Sequence, residues 1–282
     1  MRAIDVKHMG RERVICCWEV DGVLIDPGPQ ASEAALLDAL GGESPRAILL
    51  THIHLDHAGA TGSLVRRWPE LPVYVHELGA PHLIDPSKLE ASASRLYDDM
   101  TERWGEIVPV PEPNVHVIGD GDTVLGAYRV AYTPGHASHH VSFLHEDTGT
   151  AFVGDVVGVR VAPERYTLMP TPPPDIDVEL WQRSIDTVAA WRPSAFALTH
   201  FGAHDDLDAL LADAREELER CAQAAREADD AGAFLAWYER HLEQRITDAA
   251  IRAAHMQASP PQLEYLGLDR YWTKLGNDRR AA

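Results

Sequence analysis

Thr51-His52-Ile53-His54-Leu55-Asp56-His57-Ala58-Gly59 is the stretch on which the reading of this chain turns. It places three histidines and an aspartate within six positions, directly after the apolar run Ala47–Thr51, which reads as a short strand. On a strand end leading into a turn, His52 and His54 project to one side, and the turn brings Asp56 and His57 towards a neighbouring point. Imidazole nitrogen and carboxylate oxygen are the donors that zinc and similar divalent metals accept. Four such donors this close are enough to begin two adjacent metal sites. The plainer alternative is a histidine-rich surface loop. With fifteen histidines in 282 residues a chance pair is unremarkable, but an ordered His-x-His-x-Asp-His string behind a strand is not.

Outward from this stretch, the N-terminal part alternates β-type runs with turns and helical segments. Arg13–Glu19 and Gly22–Asp26 read as strands joined through Asp21–Gly22, a hairpin signal. Ser32–Leu40 reads as a helix with Ser32 at its cap, Pro72–His76 as a strand and Lys88–Trp104 as a helix. From Val115 to Gly154 the pattern is one of consecutive strands, among them Tyr128–Thr133, Val141–Leu144 and Ala151–Val153. Val156–Asp177 carries prolines at 163, 170, 172, 173 and 174, a density that excludes a regular helix and predicts a surface loop with extended stretches. Asp177–Trp191 is predicted helical and Ala195–Thr199 is the last expected strand.

Three isolated ligand-type residues each follow an expected strand: His136 in Thr133-Pro134-Gly135-His136, Asp155 after Gly154, and His200 in Thr199-His200-Phe201-Gly202. Taken singly, each has an ordinary explanation as a surface, core or turn residue. Jointly they form a pattern, because strand ends along one sheet edge are where ligands converge.

His52-Ile53-His54-Leu55-Asp56-His57, followed in order by His136, Asp155 and His200, resembles the complete metal motif of the metallo-β-lactamase superfamily. The resemblance spans roughly residues 3 to 205, and Gly22-Val23-Leu24-Ile25-Asp26-Pro27-Gly28 is similar to that family's early strand and turn. It implies an αββα sandwich, of mixed α/β class, with the metals at one edge between the sheets. It implies His52, His54 and His136 on a first metal, Asp56, His57 and His200 on a second, and Asp155 bridging them. Two divalent ions follow, zinc by preference, with manganese or iron also suited to these donors. The chemistry expected of such a centre is attack by a metal-bridging hydroxide on an electrophilic carbon or phosphorus, with Asp56 orienting the hydroxide as the catalytic carboxylate.

After residue 205 the character changes. Leu207–Ala228 has apolar residues at helical spacing, Asp229–Gly232 breaks it, and Ala233–Ala254 repeats the pattern. The expected organisation is a catalytic domain over residues 1–205 and a C-terminal helical hairpin over 206–282, extended by a short helix near Gln262–Leu266. That hairpin is expected to serve either as a wall of the substrate pocket or as the surface of a homodimer. Around the centre, His139, His140 and His76 are read as ordinary residues or as groups orienting a ligand. The loop with Tyr166, Met169 and Pro170–Pro174 is a candidate cover for the metals. Tyr265, Tyr271 and Trp272 are expected to pack the helices, and Cys16 and Cys17 to be buried and structural.

Composition narrows the function. A formal charge of −19 opposes both nucleic acid and anionic membrane surfaces as partners. Three cysteines, two of them adjacent, are no disulfide framework and fit a reducing, cytoplasmic compartment. No signal peptide or apolar membrane span is expected. A small-molecule substrate is therefore indicated, and the leading expectation is hydrolysis of a small ester, thioester or lactone. The C-terminal helices resemble the arrangement in glyoxalase II (hydroxyacylglutathione hydrolase), although Thr-His-Phe-Gly around His200 is not that enzyme's usual context. The alternatives are a small-molecule phosphodiesterase, an iron-dependent sulfur dioxygenase or oxidoreductase, and a metal-binding module without turnover.

Overall fold

Cys16-Cys17-Trp18-Glu19-Val20 and Val23-Leu24-Ile25 are buried along both faces except at Glu19. Runs of this kind belong inside a layered fold, covered on either side. The computed structural model describes residues 1–276 and places both in the first of two six-stranded sheets. This sheet is built from β1 (Arg2–Asp5), β2 (Cys16–Val20), β3 (Val23–Ile25), β4 (Ala47–Leu49), β5 (Val73–His76) and β6 (Val115–Ile118) in that spatial order. β1 to β3 form an antiparallel meander, and β3 to β6 run parallel. Parallel neighbours need crossovers. These carry α1 (Glu33–Leu40), α2 (Leu55–Ala58), α3 (Thr61–Arg67), α4 (Ala80–Ile84), α5 (Ser87–Ala93) and α6 (Met100–Trp104).

The second sheet comprises β7 (Thr123–Val124), β8 (Tyr128–Tyr132), β9 (Val141–His145), β10 (Thr150–Gly154), β11 (Ala195–Leu198) and β12 (Gly202–His204). Its neighbours are antiparallel except β10 and β11, which are parallel and joined across α7 (Val178–Ala190). Asp177 caps α7 by accepting from the Leu180 amide at 2.8 Å. Between the sheets, Trp18, Ile25 and Leu49 meet Phe143 and Phe152 in one apolar layer. The indole of Trp18 stands edge-on to Phe152 at 5.9 Å and donates to the Leu198 carbonyl at 3.0 Å, which ties the two sheets. Leu36 and Leu64 on one outer side and Trp181 and Ile185 on the other are fully buried. The αββα sandwich is thereby complete.

Among the described residues four helices follow: α8 (Leu207–Glu227), α9 (Ala231–Arg245), α10 (Ala249–Ala258) and α11 (Pro261–Lys274). The helical hairpin expected from the sequence is thus a four-helix segment. The run 233–254 is interrupted because the Asp248 carboxylate accepts from the Ala250 and Ile251 amides and starts a new helix. The helix expected at 262–266 begins with Pro261 at its first position and continues to Lys274. The helix expected over 88–104 is likewise two helices. Ser92, Ser94, Asp98 and Asp99 are weak helix formers, and Asp99 spends its carboxylate on Arg103. Ser32 sits at the α1 cap position without a side-chain hydrogen bond.

Residues 156–177 hold no helix or strand beyond a bridge between Val159 and Leu168, but they are not a surface loop. Val156, Val157, Val159, Leu168 and Met169, all ahead of the prolines at 170–174, are buried. The segment threads between the second sheet and the C-terminal helices. At Gly267, α11 crosses it so closely that an added Cβ would lie 1.8 Å from the Thr171 carbonyl oxygen. Gly267→Ala is therefore expected to overpack the crossing at a cost of roughly 1–3 kcal/mol. Calorimetry should record a melting temperature several degrees lower; an unshifted melt would show that the crossing yields freely.

Candidate metal centre

The centre is assembled at the C-terminal ends of β4, β8, β10 and β11, which share one edge of the sandwich. Past β4 the chain stays extended, so Ile53 turns into the core while His52 and His54 face the other way. The single turn of α2 then presents Asp56 and His57, held in place by the Gly28 amide donating to the His57 carbonyl at 3.0 Å. Gly154 has φ of +47°, and a Cβ there would lie 2.5 Å from Thr51 Oγ1. Glycine at this position lets Asp155 approach the histidine cluster.

All seven predicted site residues come together. His54 Nδ1 lies 3.0 Å from His52 Nε2 and 3.0 Å from His136 Nε2. Asp155 Oδ2 joins this group at 3.3 Å from His136 Nε2 and 4.0 Å from His52 Nε2. On the other side, Asp155 Oδ1 lies 3.4 Å from His57 Nε2 and 3.7 Å from His200 Nε2. Asp56 Oδ2 stands 3.3 Å from His200 Nε2 and 3.7 Å from His57 Nε2. Donors placed about 2.0–2.2 Å from one ion stand about 3–4 Å from each other. The spacings match this requirement. His57 Nε2 and Asp155 Oδ1 are moreover buried without any hydrogen-bond partner. Each orphaned group costs about 1–3 kcal/mol, which a cation between them would relieve. The residues therefore fit divalent metal.

The electrostatics agree. Burial, reinforced by neighbouring imidazoles, pushes His52 far down and His54 to about 4, so both keep a lone pair free at neutral pH. Burial also opposes charge on Asp155 and Asp56, but the surrounding histidines, His57 first, hold both carboxyls below the usual range. Conversely, burial disfavours charge on His57, yet the carboxylates of Asp155, Asp56 and Asp26 outweigh it and raise that imidazole. The two carboxylates thus keep their charge beside the uncharged imidazoles of His52 and His54, the states in which these groups act as donors to a cation.

The outer ring nitrogens are fixed as metal-binding histidines require. His136 Nδ1 faces the Pro170 carbonyl at 2.9 Å and His200 Nδ1 the Val14 carbonyl at 2.6 Å. Asp26 organises the rest. Its Oδ2 stands 2.8 Å from His57 Nδ1 and accepts from Thr51 Oγ1 at 2.7 Å and Thr199 Oγ1 at 2.8 Å, while Oδ1 accepts from the Thr51 amide at 2.9 Å. Sequence reasoning gave Asp26 no such part; the available signal was a carboxylate ending a wholly apolar strand.

Of the two readings the sequence left for His140, an ordinary residue or a group orienting a ligand, its burial against the centre agrees with the second. Its ring stacks on His52 at 4.9 Å, Nδ1 meets Thr133 Oγ1 at 2.9 Å, and Nε2 accepts from the Asp155 amide at 3.3 Å. His139 lies edge-on to His54 at 5.8 Å. His76 stacks on Tyr132 and lines a separate depression with Leu78. Cys16, Cys17 and Cys221 are free and buried. Tyr271 donates to Glu179 and the Trp272 indole to the Ala222 carbonyl, so both pack the helical segment.

A cleft open to solvent stands over the donors, with His54, Asp56, His136 and Asp155 in its lining. Its walls come from α5, the α5–α6 turn, Pro170 and Pro172–Pro174, and the α10–α11 region. The proline segment and the C-terminal helices both line it. Glu264 of α11 braces this wall by accepting from the Thr171 amide at 2.8 Å and bonding Ser259 Oγ. Burial pushes the Glu264 carboxyl up to about 8, so it retains its proton at neutral pH. Among the described residues no helix is long and apolar enough to cross a membrane.

Two stacked sheets flanked by helices, with a histidine and aspartate cluster at one edge, define a metallohydrolase of the αββα class. The family model described as the metallo-beta-lactamase superfamily matches residues 19–200, and the chain belongs to that superfamily. It is 31% identical over 197 residues to the metallo-beta-lactamase fold-containing protein ST1585 of Sulfurisphaera tokodaii, covering 67% of this chain and 71% of that one. The crystal structure of ST1585 superposes with a TM-score of 0.69 at 21% identity, over 95% of this chain and 97% of that one. Hydroxyacylglutathione hydrolase of Xylella fastidiosa is 34% identical over 139 residues, 48% of this chain but only 40% of that enzyme. TTHA1623, solved in a di-iron-bound form, is 29% identical with a TM-score of 0.51, over 69% of this chain and 91% of that one.

Proposed function

We propose that the protein hydrolyses a small ester, thioester or lactone at a dinuclear centre held by His52, His54 and His136 on one side, Asp56, His57 and His200 on the other, and Asp155 between them. The observation that carries this reading is the division of Asp155, whose two oxygens face separate sets of donors. The di-iron form of TTHA1623 and the kinship with a hydroxyacylglutathione hydrolase support it. Bound here, divalent ions lower the pKa of coordinated water towards neutrality and polarise a substrate carbonyl.

The chain's own residues supply the rest. Side chains of the other donors facing Asp56 are exposed by 3% or less, whereas Asp56 is exposed by 18% towards the cleft. It is thus placed to accept a hydrogen bond from, and so aim, the attacking water. Asp26, Thr133 and His140 hold the donors in register, which keeps reorganisation small during reaction. Residues 1–205 form the catalytic unit in this reading, and the helices from 206 onward close the cleft.

Protein purified without added metal and without a metal-binding tag is expected to carry close to two zinc ions per chain by plasma mass spectrometry. One iron per chain would instead favour the sulfur-oxidation alternative. Asp56→Asn preserves size and should lower kcat by roughly 10²–10³-fold with little change in melting temperature. Unchanged turnover would remove Asp56 from its proposed role.

A further inference from the structure

The walls of the cleft restrict what the centre can accept. The break between α5 and α6 leaves Leu96 and Tyr97 half-buried against the cleft, and Leu89, Trp104, Leu263 and the Pro172–Pro174 run complete an apolar lining. Three of the polar side chains on these walls, Arg103, Gln257 and Ser259, are already engaged, whereas Trp104 Nε1 is buried without a hydrogen-bond partner. Among the described lining residues the one Lys or Arg is Arg103. Its Nε and Nη2 donate to Asp99 at 3.1 and 2.8 Å, and its guanidinium lies 5.4 Å from the centre of the Tyr97 ring. Gln257 accepts from Arg11 and donates to the His8 carbonyl, and Ser259 is bonded to Glu264.

We propose, resting on the hydrolase reading of the centre, that its substrate is a neutral ester, thioester or lactone whose apolar acyl chain lies along this wall. A chain anchored by its carbonyl at the donors would run between the α5–α6 turn and Leu263, covering side chains that otherwise face water. Each buried methylene stabilises such a complex by a roughly constant increment. A leaving group carrying carboxylates, such as a glutathionyl group, would meet on these walls only Arg103, whose Nε and Nη2 are already paired with Asp99, and would be poorly compensated for its desolvation. The chain's charge of −19 adds to that discrimination.

The test uses the metal-loaded protein and straight-chain 4-nitrophenyl esters from acetyl to octanoyl. The expected result is a kcat/KM that rises about three- to fourfold per methylene before levelling where the chain reaches the mouth of the cleft. Leu96→Asp should cut the octanoyl-to-acetyl ratio by roughly tenfold or more. In parallel, calorimetric titration with alkyl hydroxamic acids of the same lengths reads the wall without turnover, and affinity should climb with length in the same way. Hydroxamate affinity that climbs while no ester is hydrolysed would overturn the hydrolase reading and leave the acyl wall standing. Esters hydrolysed at rates indifferent to chain length, with flat hydroxamate affinity, would overturn the acyl wall alone.

Discussion

Asp155→Ala is expected to lower kcat/KM by roughly 10³-fold or more and to reduce bound metal below two ions per chain. The two oxygens of this side chain are the atoms shared by both donor sets, at 3.3 Å from His136 Nε2 and 3.4 Å from His57 Nε2. Alanine removes one donor from each set at once and also the carboxylate that contributes most to raising His57. Plasma mass spectrometry with steady-state kinetics checks both halves of the expectation. A variant that kept its metal and turned over normally would mean that Asp155 is a packing residue and that the dinuclear reading is wrong.

The second large effect is expected at a residue that faces no metal. Asp26 is fully buried and satisfies Thr51, His57 and Thr199 together. Asp26→Ala would leave two hydroxyls, an amide and an imidazole nitrogen without their common acceptor. Breaking a buried charged network of this kind costs on the order of 3–5 kcal/mol, which corresponds to a melting temperature lower by on the order of 10 °C. The freed imidazole of His57 should also weaken metal retention by roughly 10–100-fold. Calorimetry on the metal-loaded variant and competition with a chromophoric chelator measure the two effects separately. Loss of stability with undiminished metal affinity would make Asp26 a purely structural tie.

The legible parts of the molecule are those where local chemistry dominates. His52 to His57 sit behind a buried strand, and their order alone brings them to one place. His136, Asp155 and His200 could be found because each ends a strand whose apolar run is visible. β1 and β12 were not legible: Arg2-Ala3-Ile4-Asp5 and Gly202-Ala203-His204 owe their strand state to pairing with β2 and β11 rather than to any pattern of their own. The same holds for Asp26 and His140, whose roles depend on partners from distant strands, Thr199 for one and Asp155 for the other. The C-terminal helices show the opposite failing. Their period was visible through Ile246-Thr247-Asp248, but a local cap at Asp248 overrode it. Proline density at 163–174 correctly excluded a helix, yet it concealed that valines and methionine within the segment are core residues.

One chain of contacts runs from the periphery to the chemistry. Glu264 of α11 grips Thr171, the neighbouring Pro170 offers its carbonyl to His136 Nδ1, and His136 Nε2 points at the donors of the first set. Helix α11 is thus mechanically geared to a candidate metal-binding histidine through two consecutive loop residues. Drift in the helical segment can reshape the acceptance of the cleft freely where it touches only lining side chains, but any change that shifts position 264 is transmitted to His136 as well. Within this architecture, then, new specificities can arise on α10 and α11 as long as the ties between α11 and residues 171–174 are left in place.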